Sequence, residues 1–135
     1  MSFSHQADVA HAYQLISGNG IPADQIITML YDDVATNSRN PFPGQVFNAP
    51  TAAGVAGVDV WANVQKDYTG KDVTPENFLA ILTGNATAVP AGKKVLKSGP
   101  KDNVFVFFSD HGGVGLLAFP DSQSTRRSAR AHRDG

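Results

Sequence analysis

The sequence predicts an α/β fold built on a parallel sheet, and three observations lead there. Helix-like and strand-like segments alternate along the chain. Val104 to Phe108 are five consecutive apolar residues, all β-branched or aromatic, as a strand covered on both faces requires. The helix lying between the two strand-like runs makes a right-handed parallel crossover the simplest connection.

The elements follow in order. From Gln6 to Ile16, Val9, Ala10, Tyr13 and Ile16 recur at helical spacing, and Gly18 and Gly20 stand after them as stop signals. Ile21-Pro22-Ala23-Asp24 reads as a turn. Gln25 to Tyr31 is a short apolar run bounded by turn chemistry, and is read as a buried strand. Between Asp32 and Thr69 the periodicity dissolves under repeated Asn, Pro and Gly, which predicts an unusually long loop of functional or flexible character. Order returns with Thr74 as N-cap, Pro75 at the first helical position, Asn77 where a capping box places Glu or Gln, and Gly84 as the stop. Residues 88–101 form a Lys-, Pro- and Gly-bearing connection into the Val104–Phe108 run, and Val114 to Phe119 reads as a short hairpin strand.

Composition bounds the function. A chain of 135 residues, 41% hydrophobic and 17% charged, suits one globular domain. A formal charge of -1 gives no electrostatic reason to expect nucleic acid or an anionic membrane as partner. There is no cysteine, so neither a disulfide framework nor a thiolate metal site exists within these residues. No window resembles an export signal or a membrane span. The last segment, DSQSTRRSARAHRDG, has four arginines against two aspartates and no large apolar residue. Its balance of +2 leaves -3 for residues 1–120, and its composition predicts a disordered basic tail, 121–135, after a folded part, 1–120.

The run ends abruptly on Ser109-Asp110-His111-Gly112-Gly113. In open α/β sheets, ligand sites lie beyond the carboxyl ends of the strands. His111 stands there as a candidate general acid or base, and the two glycines allow backbone N–H groups to approach a substrate and hold a developing oxyanion. On residue types alone a second reading stands beside it: a turn in which Asp110 and the glycines supply backbone geometry and His111 is a bystander.

Several blocks occur together and in order: His5-Gln6-Ala7-Asp8 with Tyr13-Gln14, Asn19-Gly20-Ile21-Pro22, Tyr31-Asp32-Asp33, Lys66-Asp67-Tyr68-Thr69-Gly70 with Asp72-Val73-Thr74-Pro75, Val95 to Pro100, and Ser109-Asp110-His111-Gly112. From about His5 to Pro120 the chain resembles the legumain family, the asparaginyl endopeptidases among the caspase-like cysteine peptidases. The resemblance implies an incomplete caspase-like α/β fold, a three-layer core with a parallel sheet and helices on both faces. It also implies peptide bond hydrolysis after asparagine, with His111 as catalytic base, Gly112 in the oxyanion site and His5 in the substrate pocket. The implied partner is an Asn-containing peptide or protein. No cofactor, metal, nucleic acid or membrane is implied, and a full-length parent would be lysosomal, vacuolar or secreted, although this chain shows no signal peptide.

The chain departs from the family pattern where the chemistry is most demanding. The family nucleophile is a cysteine on a later strand, which this sequence does not contain. The family's first central strand precedes the His-Gln-Ala-Asp block, and the asparagine and arginine of the turn before it are matched by Ser2 and Ser4. The expectation is therefore a truncated chain, inactive by itself, with two inner strands missing and sheet edges open to self-association. Two alternatives belong with it: a non-catalytic pseudo-enzyme or binding fragment, and the related core of the transamidase that attaches lipid anchors.

Other residues carry quieter readings. Asn85-Ala86-Thr87 is an N-glycosylation acceptor sequence. His11 reads as a packing or surface residue and His132 as solvated. Asp32-Asp33 suggests turn or capping geometry rather than a metal site, and Trp61 anchors the long loop to the surface. Four arginines without an aromatic platform make a weak nucleic-acid site.

Overall fold

The computed structural model describes residues 3–49, 57–114 and 116–120. The basic tail with His132, and Ser2, lie outside the described residues.

The first helix, α1, runs Phe3–Gly18 and so begins before the first residue of its apolar period. It buries Gln6, Ala7, Ala10 and Tyr13, whereas Val9 and Ile16 are only half-buried. It ends in a glycine-stopped pair of hydrogen bonds: Gly20, at φ 93°, donates its N–H to the Ser17 carbonyl, and the Ile21 N–H donates to the Ile16 carbonyl. This satisfies carbonyls the last turn would otherwise leave open. A 3₁₀ turn follows at Ala23–Gln25.

The second helix, α2, is Pro75–Leu82. The Thr74 hydroxyl accepts the Asn77 N–H at 3.1 Å, while the Asn77 side chain donates to the Asp72 carbonyl at 2.9 Å instead of closing a capping box. Gly84, at φ 66°, donates to Ile81, and Asn85 donates to Ala80, repeating the glycine-stopped end. A Cβ added at Gly84 would meet the Leu96 carbonyl oxygen at 2.9 Å. Gly84→Ala is therefore expected to lower stability by about 1–3 kcal/mol, from left-handed strain plus displacement of that carbonyl. A urea midpoint equal to that of the native chain would refute this.

The long segment after residue 31 is a loop, as expected, but it supplies core. Val34, Ala35, Val46, Val60, Trp61 and Val64 pack with Ala7, Ala10, Tyr13 and Leu30 in one buried cluster. Trp61 is 7% exposed, so it anchors the loop inward to the core and not to the surface, and the Lys66 ammonium sits 4.5 Å from its ring centroid. The loop's polar backbone is satisfied locally: buried Asn40 donates to the carbonyls of Val34, Ala35 and Gln45. Asp32, at φ 66°, pairs with Lys66 at 3.0 Å. The buried Gln6 amide bridges the turn, accepting from the Asp32 N–H and donating to the Asp33 carboxylate. Through these contacts Asp32 and Asp33 join the loop to α1 and to Lys66.

The sheet is where the expectation and the structure part. Residues 26–31 are extended, yet among the described residues they pair on one side only, through the Leu30 N–H to Tyr68, the Tyr68 N–H to Thr28 and the Gly70 N–H to Tyr31, with a single parallel bridge between Met29 and Tyr68. Val104 to Phe107 form no strand among the described residues and are 47–75% exposed. The doubly buried strand predicted there is corrected to an open extended segment, because burial on both faces needs neighbouring strands and layers that these residues do not have. A cavity of about 360 Å³ separates the two apolar segments, lined by Ile27 and Met29 on one side and Val104, Val106 and Phe108 on the other. Phe108 itself packs edge-on with Phe78 and Phe119, at centroid separations of 5.9 and 5.6 Å. Among the described residues the one regular sheet is an antiparallel hairpin of β1, Gly112–Gly113, and β2, Leu116–Leu117. The predicted hairpin is present, with its ladder confined to these residues.

A second buried cluster, Tyr68, Ala80, Ile81, Val89 and Val95, joins α2 to the loop that follows it. Tyr68 is fully buried, and its hydroxyl donates to the Lys94 carbonyl at 2.6 Å. Burial foremost, then the carboxylates of Asp67 and Asp72, hold its phenol above the ordinary 10.0. The folded chain thus keeps a proton that the unfolded chain loses, so this contribution to stability is complete below pH about 10 and declines as pH rises further. Tyr68→Phe is expected to flatten that alkaline decline in urea-midpoint measurements; an unaltered slope would contradict it.

Candidate active site

Two distant parts of the chain meet at one place. His5, in the first turn of α1, lies against His111, with ring centroids 4.7 Å apart and ring planes at 81°. The two rings therefore meet edge to face. The His5 Nδ1 atom is buried, makes no hydrogen bond among the described residues, and stands 3.3 Å from the Asp110 carboxylate. That separation permits an ion pair when the ring is protonated.

Local bonding fixes the loop that carries His111. The His111 N–H donates to the Asp110 carboxylate at 2.7 Å, and the Ala118 N–H donates to the His111 carbonyl at 2.9 Å, placing His111 at the mouth of the β1–β2 hairpin. The Ser109 hydroxyl donates to Asp8 on α1 at 3.1 Å. The Asp110 side chain is 8% exposed whereas His111 is exposed. The arrangement presents an accessible imidazole whose backbone is held and whose one flank is occupied by a second, mostly covered imidazole. Such a group can exchange a proton with a bound substrate.

The structure thus gathers all three candidates: His5 and His111 in ring contact, and Gly112 next to His111 in β1, paired with Leu117. Sequence reasoning assigned no role to Asp8 or Ser109 and gave Asp110 only turn geometry, yet these residues tie the two parts together. Asp110 carried a usable signal, a carboxylate next to a candidate base. The Asp8–Ser109 link carried none, because nothing local pairs two residues so far apart in sequence.

Of the remaining histidines, His11 is half-buried, with its Nδ1 3.0 Å from the Asn48 amide, in keeping with a packing or surface role. Asn85 is exposed, and its side-chain carbonyl accepts the Thr87 hydroxyl at 2.8 Å. No helix among the described residues is long and apolar enough to cross a membrane.

Comparison with known proteins places this site in a family. The chain is 58% identical over 123 residues to legumain of Rattus norvegicus, covering 89% of this chain and 27% of that protein. It is 55% identical over 122 residues to legumain of Homo sapiens, with the same coverage of each chain. It is 49% identical over 123 residues to the vacuolar-processing enzyme of Citrus sinensis, covering 90% of this chain and 24% of that protein. The chain spans about a quarter of the length of the relatives it matches. A family model described as the Peptidase C13 family matches residues 1–130, reaching into the basic tail. The resemblance read from the His5 and His111 blocks therefore stands, with the caspase-like fold class it implies: the chain belongs to the Peptidase C13 family.

Proposed function

We propose that this chain carries the histidine half of a legumain-like cysteine endopeptidase site, acting on peptide bonds that follow asparagine. The observation that carries the reading is the meeting of His5 and His111 beside Asp110, in a chain related along most of its length to legumains.

In this reading a cysteine thiol, supplied by residues outside these 135, loses its proton to His111 and attacks the substrate carbonyl. The N–H of Gly112 and its neighbours hold the oxyanion that develops. His111 then passes the proton to the departing amine, and water, deprotonated by the same imidazole, releases the acyl group and restores the thiol. His5 lines the pocket for the asparagine side chain. Without a cysteine the chain alone has no nucleophile to activate, so it is inactive by itself.

The finer architecture belongs to the same reading. A three-layer core with a parallel sheet is supported by the cavity between residues 26–29 and 104–108, which lies between two extended apolar segments. Left open, that edge, with Phe105 75% exposed, favours self-association of the isolated chain. The name of the vacuolar-processing enzyme supports a vacuolar setting for such a longer protein, and the resemblance to legumains extends this to a lysosomal one.

The test is a chimera in which residues 3–120 replace the matching segment of rat legumain. It should hydrolyse a fluorogenic peptide after Asn and leave the same peptide with Ala in that position uncut. A chimera that folds but cleaves neither peptide would refute the reading.

A further inference from the structure

The meeting of His5, Asp110 and His111 has a chemical consequence beyond proton transfer. Each offers one ligand atom, two imidazole nitrogens and one carboxylate oxygen, and these atoms all lie within 4.8 Å of one another. We propose that His5, Asp110 and His111 bind a divalent transition-metal ion of the zinc class, and that the bound ion silences the site by occupying the ring nitrogen His111 needs for its proton.

The donor set selects the ion. Two imidazoles and a single carboxylate suit zinc and its first-row neighbours, whereas magnesium and calcium require mostly oxygen donors. Three protein ligands leave a fourth position for water, the arrangement of an open zinc site. Bonds of about 2.0–2.2 Å require the three donors to close to somewhat over 3 Å from one another. The adjustment falls on the His111 ring, which is exposed, while its backbone stays held by Asp110 and Ala118.

Two features prepare the site. The His5 Nδ1 atom is buried and, among the described residues, has no hydrogen bond to surrender when a metal arrives. The Asp110 carboxylate is held by the His111 N–H, and the loop is tied to α1 through Ser109 and Asp8, so the ligands from two parts of the chain keep their relation without the ion. The inhibitory half of the proposal rests on the function proposed above; the binding half does not.

The test uses the 135-residue chain and two probes, zinc followed by calorimetry and cobalt followed by its visible d–d absorption. One ion per chain is expected, with no comparable binding of magnesium or calcium. His5→Ala and Asp110→Asn should each weaken zinc by about 100-fold or more, since loss of an outer partner alone is worth about 10–100-fold. His11→Ala and His132→Ala should leave binding unchanged. Absence of zinc binding, or binding that survives His5→Ala and Asp110→Asn, would overturn the site; Asp110→Asn conserves shape and guards against simple unfolding. In the rat legumain chimera, zinc should suppress peptide hydrolysis in the concentration range in which it binds, and a chelator should restore it. Binding without suppression would overturn the inhibitory half while leaving the peptidase reading intact, and an inactive chimera whose parent chain binds zinc would overturn the peptidase reading and the inhibitory half with it, leaving the metal site standing.

Discussion

His111→Ala in the rat legumain chimera is expected to lower kcat/KM for the Asn peptide by about 10²–10⁴-fold, the range for losing a positioned acid–base group. The loss should appear chiefly in kcat. His111 is exposed at the mouth of the hairpin, outside both buried clusters, so its removal costs the fold little. A variant that retains more than about a tenth of the parental kcat/KM would remove His111 from the proton-transfer role.

Tyr68→Ala is expected to cost about 3–5 kcal/mol, the scale of deleting a large buried aromatic side chain. Single domains are stable by only about 5–15 kcal/mol, so the urea midpoint should fall sharply or the transition vanish. Tyr68 is unusual in how much converges on it. Its ring fills the second cluster beneath α2, its hydroxyl ties down the Lys94 carbonyl, and its backbone makes the bonds that keep residues 28–30 extended. A loss below about 1 kcal/mol would show that this cluster does not hold α2 and the following loop to the rest of the chain.

The two helices were legible because their signals are local. Gly20 and Gly84 both take the positive φ that a glycine-stopped helix needs, and Thr74 caps the helix it precedes. The core contributed by the long loop was not legible. Val34, Val46 and Val60 follow neither a helical nor a strand period, and their burial depends on turns held by Asn40 and on the Gln6 amide reaching across from α1. Val104 to Val106 misled for the opposite reason. Their residue types specify a strand, but a strand is buried by its neighbours, and the described residues supply none on the cavity side.

The site divides in the same way. His111 and Gly112 could be singled out from chemistry and chain position, whereas His5 entered only through resemblance to a family. Its approach to His111 is a tertiary fact, made by the packing of α1 and by the Asp8–Ser109 bond. Asp110 was visible as a carboxylate, but its position beside the His5 nitrogen was not.

The central claim is that His5 and His111 form one face, and nuclear Overhauser spectroscopy on the 135-residue chain tests it most directly. With ring centroids 4.7 Å apart, cross-peaks between the ring protons of His5 and His111 are expected, and they should disappear in His5→Ala. A folded chain whose two histidine rings show no such cross-peaks would contradict the site.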